Sequence, residues 1–421
     1  MLRFRPEQLD LRSYLQPGDG VVTSQGSAEP QALTRALRAQ ADSLSVSIFL
    51  GGGSFSGTFT PEHAGNLRFT GYGGVGDHRR LIRAGLMEIL PVHVSRLPHF
   101  IGREIPCDVA MLQVAGPRKD GNYSYSLASD YMVEAVTRAR VVIAELNHNA
   151  PNTCCEVPLH PSNIDVLVES DEPLIQLPSS PVGDLERAIA SHIAEFIGDH
   201  STLQIGYGCV PEAIIATLRD RKDLGLHTGV IGDSIVALIE RGVITNASKE
   251  VLPGRSVTGA LWGTQRLYRF VDENPDVQLT RITTTHGAES LGRLSRLVSI
   301  NSAIEVDLTG QVNAEQIGSE YVGAIGGQVD FVRAGARAPL GASIITLAST
   351  AREGTVSRIV SRLNGPVTTA RSEVDVVATE HGAVRLRGLS LKLRVKRMID
   401  LAEDKFRETL SREAYDLYGV R

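Results

Sequence analysis

Gly326-Gly327-Gln328-Val329-Asp330-Phe331-Val332-Arg333 sets two adjacent glycines ahead of a run that mixes polar and apolar residues. A glycine pair is costly to order and packs nothing, so it belongs where φ must be positive or another molecule approaches the main chain. The chemistry such a loop offers is that of backbone N–H groups aimed at a ligand. Its plain alternative is a tight turn ahead of the buried strand Ala342 to Leu347. Several side chains could also do chemistry. His227 has a natural pKa suited to a general base, or it is a structural histidine beside a strand end. Asp233 opens the apolar helix Ile235 to Ile239, as a base or as an N-cap. Cys209 is a thiol at a helix start, where the dipole would lower its pKa, or a small residue filling a turn. Glu29 and Glu212, near helix starts, complement the helix dipole, and Asp330 with Arg333 reads as a structural ion pair.

Positioning these residues falls to an alternation of strands and helices. Val109 to Val114 and Val141 to Leu146 are apolar runs of strand length, and Tyr131 to Arg138 between them fits a helix. Asp184 to Ile197 places Leu185, Ile189, Ile193 and Phe196 on one helical face behind an Asp cap. That helix opens a second half, because two segments are built alike. Gly18-Asp19 leads through Val21-Val22-Thr23 to Gly26, Pro30 and a helix through Leu37; Gly198-Asp199 leads through Leu203-Gln204-Ile205 to Gly206, Gly208, Pro211 and a helix through Leu218. In both, proline is expected at the first helical position, where its missing N–H costs nothing. The fold class expected is α/β: two similar open domains with mostly parallel sheets, residues 1–183 and 184–421, with ligands at the carboxyl ends of the strands. A C-terminal amphipathic helix carrying Leu389, Leu393, Met398, Leu401 and Phe406 would cover the second domain, and its positive charges could also meet phosphates.

Composition narrows the partners. The 421 residues carry a net charge of −5 and a single Trp, with no basic run that would neutralise many phosphates, which argues against nucleic acid. No apolar run is long enough to span a bilayer and the N-terminus lacks a signal-peptide core, so a cytoplasmic protein without a membrane partner is expected. Cys107, Cys154, Cys155 and Cys209 match no zinc or redox spacing, and no metal site is expected. Gly71-Tyr72-Gly73-Gly74-Val75-Gly76 fits the dinucleotide fingerprint G-x-G-x-x-G, yet Asp77-His78-Arg79-Arg80 places charge where the helix should begin. A glycine-rich loop is the plainer reading; a nicotinamide-linked oxidoreductase is the competing class.

From Gln204 onward the motifs are more specific. They include Gly206-Tyr207-Gly208-Cys209-Val210-Pro211-Glu212-Ala213, Asp223-Leu224-Gly225-Leu226-His227-Thr228 with Gly242-Val243-Ile244-Thr245-Asn246, the Gly326 to Arg333 segment, and Thr379-Glu380-His381-Gly382. In the first half, Ala28-Glu29-Pro30-Gln31 and Ala144-Glu145-Leu146-Asn147 join them. With these the chain resembles the acetyl-CoA hydrolase/transferase family over essentially its whole length, a family that includes 4-hydroxybutyrate and butyryl-CoA:acetate CoA-transferases. The resemblance implies chemistry on acyl-CoA thioesters between the two domains, with a carboxylic acid as acceptor in the transferases. Coenzyme A or acyl-CoA is then substrate, no permanently bound cofactor is implied, and a homo-oligomer, dimer or tetramer, follows by analogy. It also implies substrate contacts at Gly26, Gly206, Gly208, Cys209, Gly326, Gln328, Asp330 and Phe331, and an oxyanion donor at Gly327. In family enzymes a glutamate attacks the thioester and carries CoA as a glutamyl thioester. The pattern G-[ILKM]-H-[TS]-E, laid over Gly225-Leu226-His227-Thr228, puts Gly229 at the glutamate.

Glycine can form neither anhydride nor thioester. Three readings stay open: water attacks the carbonyl with His227, Asp233, Glu29 or Glu320 as base, giving a hydrolase or a related CoA-dependent C–C cleaving enzyme, the reading favoured; a carboxylate from elsewhere replaces the nucleophile and transfer survives; or the protein binds acyl-CoA without turning it over.

Overall fold

The structure is a computed structural model that describes residues 1–179 and 181–420. Two open sheets organise it. The first contains β1 (Leu2–Phe4), β2 (Gly20–Thr23), β3 (Ser47–Phe49), β4 (Arg68–Gly71), β5 (Met87–Ile89), β6 (Val109–Val114), β7 (Val141–Asn147) and β8 (Val166–Ser170), in the order β1-β8-β7-β6-β2-β3-β4-β5. Every neighbouring pair is parallel. The second contains β9 (Thr202–Ile205), β10 (Gly225–Leu226), β11 (Leu297–Ser302), β12 (Ala342–Thr346), β13 (Val376–Thr379) and β14 (Gly382–Arg385), in the order β10-β9-β11-β12-β13-β14. Only the closing β13–β14 pair is antiparallel.

Continuous apolar strands follow from helices on both faces of a parallel sheet. Along β6, Ala110, Leu112 and Val114 enter one core while Val109 and Met111 enter the other, and β7 divides Val142, Ala144 and Leu146 from Ile143 in the same way. In the second sheet Val298, Ile300 and Ile344 face one core, Ile345 and Val377 another. Each such valine, leucine, isoleucine or methionine side chain contributes about 1.5–3 kcal/mol by leaving water.

The expected helix after β6 runs Met132–Arg138. The helix opening the second half spans Asp184–Ile193 and tightens into a 3-10 turn, Ala194–Phe196. Gly183 rather than Asp184 occupies its cap, with its N–H donated to Glu186 at 2.8 Å. The twin strand–turn–helix units are present as β2 with Gln31–Ala39 and β9 with Cys209–Thr217. Pro30 sits just before the first helix and Pro211 at the third residue of the second, positions that also need no intrahelical N–H. The expected C-terminal helix is two, Leu391–Asp400 and Asp404–Tyr418; Val395, Met398, Leu401 and Leu410 are buried, but Leu393 is exposed. Among the described residues no helix is long and apolar enough to cross a membrane.

The largest revision concerns the glycine pair. Gln328–Arg337 is an α-helix with Gly327 at its N-cap. Val329, Phe331, Val332 and Gly335 are its buried residues, a helical spacing hidden by the apparent alternation of the first few positions.

Many contacts join the halves, backbone pairings among them. Gly73 bridges Ala324, and Gly74 donates its N–H to the Gly323 carbonyl at 2.8 Å. A Cβ on Gly73 would lie 2.6 Å from the Gly52 carbonyl oxygen, and one on Gly74 2.6 Å from that of Tyr321. The fingerprint-like loop is therefore glycine-rich because backbone packs on backbone there. Val94 donates its N–H to the Gly326 carbonyl at 2.9 Å. Finally, Cys154–Cys155 pairs in parallel with Val277–Leu279, which also pairs with Ser256–Thr258. All four cysteines are free.

Candidate active site

Just past the carboxyl ends of β2, β3 and β4 lie Gln25, Gly52 and Tyr72; past β9 lies Gly206, and β11 carries Asn301. All five line one cavity of about 370 Å³ between the halves, together with Thr228, Gly229, Trp262, Gly326, Gly327, Gln328 and Phe331. Gln204 and Asn301 lock to each other across β9 and β11, the Asn301 amide donating at 3.0 Å.

The glycine turn is pinned from both sides. Gly326 has φ +56°, a left-handed conformation that favours glycine, and its carbonyl is held by Val94. Gln328 donates its side-chain amide to Thr369 Oγ1 at 3.0 Å. Asp330 accepts from the Ser95 N–H at 3.1 Å and the Ser95 hydroxyl at 2.7 Å, and burial raises its pKa. Arg333 pairs with Glu373 at 3.4 Å, so the hydrogen-bonded partner of Asp330 is Ser95 from the first half. With Gly327 at the N-cap, the first N–H groups of the helix have no intrahelical acceptor and are free to meet an anion.

Opposite the turn, Thr228 fixes the segment that carries position 229 by donating its hydroxyl to the Ile205 carbonyl at 2.8 Å. Among the described residues one carboxylate lines the cavity, Asp130. Its Oδ2 accepts from the Gln25 amide at 2.7 Å, while the Gln25 carbonyl takes Tyr72 O–H and Gly52 N–H, each at 2.8 Å. Burial pushes the Asp130 carboxyl up to about 6, against the Gln25 hydrogen bond that opposes the rise. His286, the one imidazole in the lining, rests its ring against Phe331, with centroids 4.8 Å apart. Its burial lowers the pKa to about 3, which keeps it neutral.

Of the residues expected from sequence, Gly206, Gly229, Gly326, Gly327, Gln328 and Phe331 come together here. The other candidates lie outside the lining. His227 is fully buried, with Nε2 3.1 Å from the carbonyls of both Thr284 and Thr285, and burial, then Lys249, lowers its pKa to about 3. Asp233 accepts the N–H groups of Thr264 and Leu267, each at 3.1 Å, at the start of the neighbouring helix Gln265–Val271. Glu29 accepts hydroxyls from Ser54 and Ser56 at 2.7 Å and Thr34 at 2.9 Å, and burial raises its pKa. Glu320 pairs with Arg83 on the outer face. Gly26 supports the cavity indirectly: its φ is +61°, and a Cβ there would strike the indole of Trp262 at 2.5 Å. Gly208 has φ +133° as the cap of Cys209–Thr217, and burial raises the Cys209 thiol, the opposite of an activated thiolate. Asp130, Gln25, Tyr72 and His286 went unnoticed in the sequence; the available signal was polar side chains set within apolar stretches such as Tyr123 to Val136.

A two-sheet α/β fold with a cavity at facing strand ends and a glycine-capped helix beside it defines an acyl-CoA enzyme of the acetyl-CoA hydrolase/transferase family, to which this chain belongs. The family's N-terminal domain matches residues 7–177 and its C-terminal domain residues 263–414. The chain is 37% identical to the 4-hydroxybutyrate coenzyme A transferase of Clostridium kluyveri over 95% of each chain. It is 28% identical to the acetyl-CoA hydrolase of Neurospora crassa over 60% of this chain and 50% of that one. Among solved structures, RipA from Yersinia pestis superposes with a TM-score of 0.92 at 31% identity, covering 99% of this chain and 98% of that one.

Proposed function

We propose that this chain hydrolyses the CoA thioester of a small or medium organic acid, with no glutamyl-CoA intermediate. The observation that carries the reading is the pairing of an absent carboxylate at Gly229 with a single buried carboxylate, Asp130, in the same cavity. A carboxyl held at about 6 is close to a working pH, where a general base is most effective, and its Gln25 hydrogen bond orients it. Water then attacks the thioester carbonyl carbon while Asp130 takes one of its protons. The Gly327 N–H receives the oxyanion. Collapse expels the thiolate of CoA, Asp130 returns the proton to that sulfur, and the acid gives its remaining proton to bulk water and leaves as its carboxylate.

A second reading has an observation in its favour: relatives such as the Clostridium kluyveri enzyme are named transferases, and Asp130 is itself a carboxylate able to attack. In that case Asp130 forms the acyl anhydride and then the aspartyl-CoA thioester. One assay separates the two. A panel of acyl-CoA substrates is offered with and without acetate while free thiol and new acyl-CoA are followed together. Thiol release at a rate independent of acetate is expected; acetyl-CoA formation without thiol release would sink the hydrolase reading. A mass increase of the enzyme by CoA, located at Asp130, would establish the relocated nucleophile.

A further inference from the structure

His286 stands where three features of the cavity meet. A Cβ built on Gly229 would lie 3.0 Å from both Cε1 and Nε2 of its ring, and one on Gly327 2.5 Å from Nε2 and 2.6 Å from Cδ2. The two glycines therefore flank the Nε2 corner, one along each edge, and Nε2 points between them. Nε2 has no hydrogen-bond partner among the described residues, whereas Nδ1 lies 2.7 Å from Thr285 Oγ1. The ring is held by the Phe331 ring and by the His286 N–H, which donates to the Ile282 carbonyl at 2.8 Å. The glycines at 229 and 327 and an imidazole whose outer nitrogen meets both form one steric unit.

We propose that His286 occupies the room of the family's carboxylate side chain and donates its Nε2–H, together with the Gly327 N–H, to the thioester oxygen. This rests on the acyl-CoA reading above. With the proton on Nε2, Nδ1 accepts the Thr285 hydroxyl that lies 2.7 Å away. Burial keeps the imidazole neutral across the working range, the state in which it can donate without having first to lose or gain a proton. During attack by water the carbonyl oxygen gains the electron pair of the C=O π bond and accepts both N–H donors; when the C–S bond breaks, the pair returns and the donors relax. No proton leaves His286 in the cycle.

The pairing has a consequence for engineering the site. A glutamate at 229 must push the ring aside before it can enter, so Gly229→Glu alone should give a folded protein with no transfer. Gly229→Glu combined with His286→Ala frees the room, and is expected to form acetyl-CoA from acetate and a covalent enzyme–CoA thioester visible by intact-protein mass. In the parent, His286→Ala should lower kcat about 10²- to 10³-fold, the cost of one oxyanion donor, with KM little changed. His286→Gln, which keeps an N–H donor and cannot take up a proton, should stay within about tenfold of the parent and keep its pH profile. A His286→Ala enzyme with parental kcat overturns the donor role. So does a His286→Gln enzyme as slow as the Ala variant with its pH limb displaced, the mark of a base. A folded double variant that binds acyl-CoA yet forms no adduct overturns the pairing. Transfer to acetate by the parent would instead defeat the hydrolase reading, while the kcat comparison, made on that reaction, still decides the role of His286.

Discussion

Asp130 and His286 titrate in opposite directions for one reason: burial opposes whichever form is charged. The sign of each effect on stability follows. Native Asp130 keeps a proton up to about 6 that an unfolded aspartate gives up near its ordinary value of 3.8, so this group makes stability fall as pH rises between those values. Native His286 refuses a proton down to about 3 that an unfolded histidine binds near 6.5, so its contribution makes stability rise with pH over that interval. Denaturant unfolding from pH 4 to 6.5 should show Asp130→Asn shifting the slope upward relative to the parent, and His286→Gln shifting it downward. Asp130→Asn should also lower kcat by about 10² to 10⁴ and abolish the rising limb of kcat/KM near pH 6. An unchanged limb would remove Asp130 from the reaction. At this scale the sequence offered His227 because it lies two residues from Gly229, yet its side chain is committed to the carbonyls of Thr284 and Thr285. His286 reaches Gly229 only through tertiary structure, and chain distance carries no trace of that.

The elements were more legible. Strands buried on both faces must be apolar along their whole length, so β6 and β7 stand out in the sequence, and helices such as Met132–Arg138 follow from what is left between them. The helix after the glycine pair did not, because two glycines look like a loop when their work is to cap a helix and to let an imidazole pass. Gly326→Ala tests the first part of that work. A left-handed residue with a Cβ costs about 1–2 kcal/mol, so the variant should unfold at lower denaturant concentration, with kcat/KM reduced as the turn shifts away from Val94. Parental stability and activity together would show that the turn tolerates another conformation.

For the whole molecule, the two repeated halves and their parallel sheets could be read from the twin strand–turn–helix segments, whereas the cavity could not, since each half supplies only part of its wall. Its charge content bears on substrate choice. Among the described residues no lysine or arginine lines it, and its one carboxylate is Asp130. A second carboxylate on the acyl group would be buried unpaired, at a cost of several kcal/mol. We expect kcat/KM for butyryl-CoA to exceed that for succinyl-CoA by at least about 10², and equal values would contradict this account of the wall. The strand pairing of Cys154–Cys155 with Val277–Leu279 adds a statement about time. A ribosome delivers the first half long before its partner strand, so those cysteines emerge with no neighbour on that side. The walls of the cavity run from Gln25 to Phe331, so the nascent chain cannot close it until Phe331 has been made.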